Sequence, residues 1–389
     1  MTTDPLAWLD DEAAARAAKG LTRRLRPHGP VTPGRFEHDG RTVLNFGSND
    51  YLGLAADPRL AAASAEAAAR FGSGSGASAL VSGWCTTHQQ LAKELARFER
   101  SESVAIFPSG FAANLGAVVA LVGQGDAVYA DRLDHACLID GARLSGASLR
   151  VYPHADAARL GSILARERDR YRRVLIATDG VFSMDGDLAP LAELAGLAER
   201  FDVMLLVDEA HGTGVFGPDG RGASSALGVA DRVHVRVGTL SKALGSLGGF
   251  VAGSARLVDH LINHARTLIY STALPPPAAA SALAALEIVQ AEPWRRAHVF
   301  ETADRLRAGL RVIDGLTVPE SVGPIVPLIV GEPERAVSLS ARLLDRGLFA
   351  PAIRPPTVPA GTSRLRLSVT AAHAGADVDA LIQAVRESV

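Results

Sequence analysis

Lysine is the scarce residue of this chain. Among 389 residues and 40 basic side chains, only Lys19, Lys93 and Lys242 are lysines, and the other 37 are arginines. Lys19 and Lys93 sit in polar, helix-like surroundings. Lys242 stands in "GTLSKALGSLGG", Gly238 to Gly249, as its sole charged residue. Arginine stays protonated and is a poor nucleophile, whereas a lysine in dry surroundings can lose its proton and form a Schiff base. A chain that writes arginine wherever a positive charge suffices, yet keeps this one lysine, hints at chemistry. The plain alternative is a snorkelling lysine in a flexible turn.

Other absences narrow the function classes. The two cysteines, Cys85 and Cys137, lie too far apart in sequence for a disulfide framework or a zinc knuckle, and read as small buried apolar residues. Net charge is −2 and the pI about 6.6, with arginines scattered among acids and no RNA-binding signature. No nucleic-acid partner is expected. No apolar run reaches the length of a membrane span, and "MTTDPLAWLDDEAAARAAKG" lacks the apolar core of a signal peptide. A soluble, cytoplasmic protein is expected. "GSGSGAS", Gly72 to Ser78, lacks the Gly-Lys-Ser/Thr ending of a nucleoside-triphosphate loop, which leaves a substrate-facing turn or a plain loop.

Apolar content of 48% against 21% charged residues gives material for a large core and for two or three domains. Residues 5 to 26 read as one helix ended by Pro27 and Pro30. Thereafter helical patterns alternate with short apolar strands: "SVAIFPSG", "AVYADRLDH", "RVLIATDGVFS", "VMLLVDEAHG" and "HVRVGTLSK". Apolar runs without alternation, separated by helices, indicate an α/β fold with a mainly parallel sheet covered on both faces. The expected organisation is an N-terminal helix and arm over 1–43, a large domain over 44–289 and a smaller α/β domain with antiparallel strands over 290–389.

Polar residues collect where those strands end, the place at which open α/β sheets bind ligands. Gly110 and Phe111 open a helix whose free N–H groups suit a phosphate. Asp208 ends a buried strand and needs a cationic partner or several hydrogen bonds, and His211 lies three residues on. A metal site fails for want of a second ligand cluster. Thr239, Ser241 and Lys242 place hydroxyls beside an amine. Together these groups describe one ligand with a phosphate, a basic ring nitrogen and an aldehyde that a lysine can capture, which is pyridoxal phosphate.

At these residues the chain resembles the α-oxoamine synthases. "NDYLGL", "VFSMDGDLAPL", "VDEAHGTGVFG", "SKALGSLGG" and "IYSTALPP" match that family's pattern from about Leu44 to Ala372. The resemblance implies a fold-type I pyridoxal-phosphate transferase with a seven-stranded sheet. "AIRPPTVPAGTSRLRLSVTAAH" is similar to the members that condense L-alanine with a pimeloyl thioester in biotin synthesis. Lys242 then corresponds to the Schiff-base lysine and Asp208 to the partner of the ring nitrogen. His211 and Ser183 correspond to groups near the phenolic oxygen, and His135 to the residue stacked on the ring. Gly110, Phe111 and Thr239 match cofactor and phosphate contacts. Arg354 and Asn49 are expected near the alanine carboxylate, while Arg23 and Thr357 match substrate contacts. Arg24 and Arg26 compete with Arg23 for that place. Ser271 and Thr272 match residues that reach the phosphate across a subunit interface, which implies a homodimer with its active site there. The acyl carrier, coenzyme A or acyl carrier protein, stays open. A sibling such as glycine C-acetyltransferase, an aminotransferase and a non-catalytic partner subunit are the competing readings. The last should have lost the lysine, and Lys242 is present.

Overall fold

The computed structural model describes residues 4–23 and 25–389, so Arg24 lies outside the described residues. The chain divides into two compact units, Asn49–Val299 and Met1–Ser48 with Phe300–Val389.

The first unit is built on a seven-stranded sheet. Its strands in chain order are Ser103–Phe107, Ala127–Asp131, Ser148–Tyr152, Val174–Asp179, Met204–Asp208, Val235–Thr239 and Gly249–Gly253. The last of these runs antiparallel between Ser103–Phe107 and Val235–Thr239, and the remaining pairs are parallel. All six other strands therefore point their carboxyl ends the same way. Val174–Asp179 and Ala127–Asp131 are buried along their full length, as strands covered on both faces must be. Phe107, Ala113, Val118, Leu138, Leu175, Leu206 and Val237 form one core cluster between the sheet and its helices.

The seventh strand, Gly249–Gly253, carries no sequence signal beyond an apolar centre between glycines. Gly238 explains the close pairing there, since a Cβ would meet the ring of Phe250 at 2.2 Å. Two long helices, Pro276–Ala291 and Trp294–Arg311, follow the Pro-rich segment. Pro276 at the first turn suits the start of the first, where a backbone N–H would be unpaired anyway.

In the second unit, Ile325–Gly331, Ser363–Ser368 and Ala352–Ile353 form an antiparallel sheet. The N-terminal strands Arg35–His38 and Arg41–Asn45 make a hairpin, and Leu348–Phe349 adds in parallel to Arg41–Asn45. The N-terminal helix is shorter than the sequence suggests. It spans Trp8–Ala18 and buries none of its residues. Gly20 then takes a φ of 63°, a left-handed conformation that closes a helix at glycine rather than at a distant proline. Among the described residues no helix is long and apolar enough to cross a membrane.

Candidate active site

Four strands of the large sheet end in a polar residue: Asp131, Asp179, Asp208 and Thr239. Strand pairing sets Asp179 directly beside Asp208. The helix Gly110–Leu121 starts three residues after the last residue of the strand Ser103–Phe107, and Ser109 caps it by accepting the Ala112 N–H at 3.1 Å. The N–H groups of Gly110 and Phe111 belong to the first turn and have no partner within the helix.

A cavity of about 250 Å³ opens over these ends. Gly110, Phe111, His135, Asp208, His211, Thr239 and Lys242 all line it, together with Ser109, Asn114, Cys137, Asp179, Val181, Ala210 and Ser241. Residues scattered over more than 130 positions thus converge because parallel strands deliver their ends to one edge. Ser183 is half-buried in the loop that follows Val174–Asp179. Ser271 and Thr272 stand apart, along a shallow cleft with Trp84, His88 and Pro108. There the chain pairs Thr272 with Ser78, and Ser75 donates to the Leu274 carbonyl at 2.7 Å. The glycine-rich stretch is therefore a segment anchored to the "STALPP" loop.

Asp208 is buried, 5% exposed. Burying a Val or Leu side chain stabilises by about 2 kcal/mol, but an ionised carboxylate at the same depth costs more unless it is hydrogen-bonded. Asn114 Nδ2 donates to its Oδ2 at 2.7 Å, and the Ala210 N–H donates to Oδ1 at 2.8 Å. Asp179, its neighbour, has its carboxyl pushed well up by burial and then by the nearby Asp208 charge. Asp134 is raised for the same reasons, burial first and Asp179 second. Asp179 and Asp134 accept backbone N–H groups as well, from His135 and from Asp131 and Asp179 respectively.

Lys242 Nζ lies 3.0 Å from His211 Nε2, and His211 Nδ1 lies 2.6 Å from the Tyr51 hydroxyl. His135 caps the helix Ala136–Ser145 by accepting the Cys137 N–H through Nδ1. Burial lowers its pKa. Burial pushes the Cys137 thiol far up, which leaves it inert as a thiolate.

Sequence reasoning missed Asn114, Asp179, Cys137 and Tyr51. Asn114 had a signal, because it interrupts the otherwise apolar "FAANLGAVVALV". Tyr51 had none, since its contact with His211 spans 160 positions.

Arg23, Arg354 and Thr357 belong to the other unit. There Arg354 donates through Nη1 to the Gly20 carbonyl and through Nη2 to the Thr22 carbonyl at 3.4 Å. It holds the stretch just before exposed Arg23.

The residues present fit pyridoxal phosphate. The cavity offers helix N–H groups for a phosphate, a buried carboxylate for a ring N–H, and an amine. At Gly110 a Cβ would stand 3.2 Å from both Cβ and Oγ1 of Thr239, a tight contact that glycine avoids at this corner of the cavity.

Comparison with known proteins gives the same direction. The family described as aminotransferase class I and II matches residues 41–385. An 8-amino-7-oxononanoate synthase of Anaeromyxobacter dehalogenans strain 2CP-1 is 51% identical over 385 residues, covering 99% of this chain and 96% of that one. Among solved structures, a serine palmitoyltransferase variant from S. paucimobilis with bound PLP–myriocin aldimine superposes with a TM-score of 0.93 at 30% identity, over 99% of this chain and 98% of that one. An 8-amino-7-oxononanoate synthase from Francisella tularensis superposes with a TM-score of 0.75 at 29% identity, over 89% and 97%.

Proposed function

This chain belongs to the 8-amino-7-oxononanoate synthases within the class I and II aminotransferase family, and from that premise we propose how its residues divide the reaction. It is an acyl-transferring enzyme with pyridoxal 5'-phosphate as cofactor. It condenses L-alanine with a pimeloyl thioester to give 8-amino-7-oxononanoate, carbon dioxide and free thiol, a step of biotin biosynthesis. The observation that carries the assignment of residues is the meeting of Lys242, Asp208, His135 and His211 with the Gly110–Phe111 helix start in one cavity.

Bound there, pyridoxal phosphate supplies an aldehyde for the substrate amine and a ring that takes up the electron pair left at the alpha carbon. Gly110 and Phe111 N–H groups and the Thr239 hydroxyl would hold the phosphate. Asp208 would pair with a ring N–H, with Asn114 and Ala210 donating to its oxygens. His135 would cover one face of the ring, and Ser183 and His211 would hold its phenolic oxygen. Lys242 acts as the base: a neutral amine takes the alpha proton of alanine and later returns one to the product. Arg354 is assigned to the alanine carboxylate, and Asn49, Arg23 and Thr357 to substrate binding. Ser271 and Thr272 serve the phosphate of a partner subunit in a homodimer.

The test is direct. Purified protein with cofactor is given L-alanine and either pimeloyl-coenzyme A or pimeloyl–acyl carrier protein, and the aminoketone and carbon dioxide are measured. Product from alanine with one or both thioesters supports the reading and identifies the carrier. Product only from glycine and acetyl-coenzyme A would move the enzyme to its sibling activity. Pyridoxamine phosphate formed from alanine alone would mark an aminotransferase.

A further inference from the structure

His154 stands between two carboxylates at the polar edge of the large sheet. Its Nδ1 lies 2.9 Å from Asp131 Oδ1 and its Nε2 lies 2.8 Å from Asp187 Oδ2. A neutral imidazole has one N–H and one lone pair, and an ionised carboxylate offers only acceptors. A ring held by two such groups therefore carries a proton on each nitrogen. The hydrogen bonds to Asp131 first, then Asp187, raise its pKa to about 10, in keeping with that geometry. The next residue, Ala155, has a φ of 52°, a left-handed conformation that a residue with a Cβ seldom takes. Its N–H donates to Asp131 Oδ2 at 2.7 Å. The backbone is strained just where two consecutive residues hold one carboxylate.

The two acids belong to two segments that reach the cavity, one through His135 and the other through Val181. Asp131 begins the turn that leads to His135. The Asp131 N–H donates to Asp134 Oδ2 at 2.8 Å, the Asp179 N–H donates to Asp134 Oδ1 at 2.9 Å, and the His135 N–H donates to Asp179 Oδ1 at 3.3 Å. Asp187 closes a hairpin whose corner carries Ser183. There the Phe182 N–H donates to the Asp187 carbonyl at 3.0 Å and the Gly186 N–H to the Phe182 carbonyl at 2.8 Å, while Val181 pairs with Leu188. His154 also meets the Phe182 ring edge to face, with centroids 4.5 Å apart. It thus touches the residue before Ser183 and the residue that ends the turn.

We infer that His154 is a positioning residue: as a bridge between Asp131 and Asp187 it holds the Ser183 hairpin against the His135 turn, and so fixes two of the segments that receive the cofactor ring. The inference rests on the placement of His135 and Ser183 at that ring in the proposed function. His154 itself is not among the residues that line the cavity.

The test reads the bridge and its consequence separately. Full-length cofactor-free protein is labelled with nitrogen-15 in its histidines, and the His154 signals are identified by their loss in His154→Gln. At about pH 8, well above the ~6.5 of an ordinary histidine, both ring nitrogens should be protonated. Binding of pyridoxal phosphate is then titrated far below the melting temperature, with circular dichroism to show that the fold is kept. His154→Gln should bind it about threefold to tenfold more weakly, the scale of one hydrogen bond lost at the site. Asp187→Ala, which removes a half-buried side chain, should weaken binding to a similar extent. The double variant should be no worse than either single one, because one bridge is broken in all three. A wild-type ring with a single proton overturns the inference. So does cofactor affinity that is unchanged in both variants while their melting temperatures fall, which would mark a purely structural ion pair. Additive losses in the double variant would contradict a shared bridge. None of these measurements uses alanine or a thioester, so their outcome is separate from the identity of the substrates.

Discussion

The ε-amine of Lys242 and the Nε2 atom of His211 lie 3.0 Å apart, at the ends of two adjacent parallel strands. This contact makes the scarcest basic residue of the chain a candidate base. Lys242→Ala should lower turnover by about a thousandfold or more, as expected when one group is both attachment point and base. Lys242→Arg should do no better, because a guanidinium stays protonated. Steady-state kinetics check both, with circular dichroism to show that the fold is kept.

Asn114 holds Asp208 through a 2.7 Å hydrogen bond. Asp208→Ala should cost several orders of magnitude in kcat, since the ring nitrogen loses its anionic partner. Asn114→Ala leaves the carboxylate in place and removes one donor, worth about 1.5–3 kcal/mol when the acceptor is charged. A kcat loss of roughly tenfold to a hundredfold is expected on that scale. Near-normal activity in Asp208→Ala would remove the ring-nitrogen role.

Gly110→Ala tests the close approach at the phosphate end. The new Cβ would crowd Thr239 at 3.2 Å, and overpacking of this kind typically costs about 1–3 kcal/mol. Equilibrium titration should show cofactor bound about tenfold more weakly or worse, while the thermal stability of the cofactor-free protein changes much less.

His154 gives a pH dependence. Its ring nitrogens lie 2.9 Å from Asp131 and 2.8 Å from Asp187. Hydrogen bonds to Asp131 first, then Asp187, raise its pKa to about 10. The folded protein therefore keeps this proton longer than the unfolded chain, whose histidines titrate near about 6.5. The stabilisation is complete below that value and is lost as pH rises through about 10. Thermal melts of the wild type should lose stability over that window, and His154→Gln should show a flatter curve. Parallel curves would contradict the ion-paired assignment.

Much of this was readable along the chain, because parallel strands announce themselves. Apolar runs stopping at Asp131, Asp179 and Asp208 mark one edge of the sheet, and chain order alone then gathers the cavity. Lys242 stood out against an arginine background. The antiparallel strand Gly249–Gly253 did not, since it joins Ser103–Phe107 across about 150 positions and shows no alternation. Tyr51 and His154 were silent for a related reason. Each acts through partners set by tertiary packing, and a single tyrosine or histidine in sequence carries no trace of the group it will face. The N-terminal helix was overextended because alanine-rich composition says little about where a chain turns, and Gly20 decided it.

The most direct measurement is the near-ultraviolet and visible absorbance of the purified protein, before and after L-alanine and then with pimeloyl-coenzyme A. The account expects a cofactor band in the visible that L-alanine perturbs, and a transient band at longer wavelength once the thioester arrives. A colourless protein that takes up no pyridoxal phosphate would contradict it at the root. A band that answers to glycine and not to alanine would keep the site and contradict the substrate.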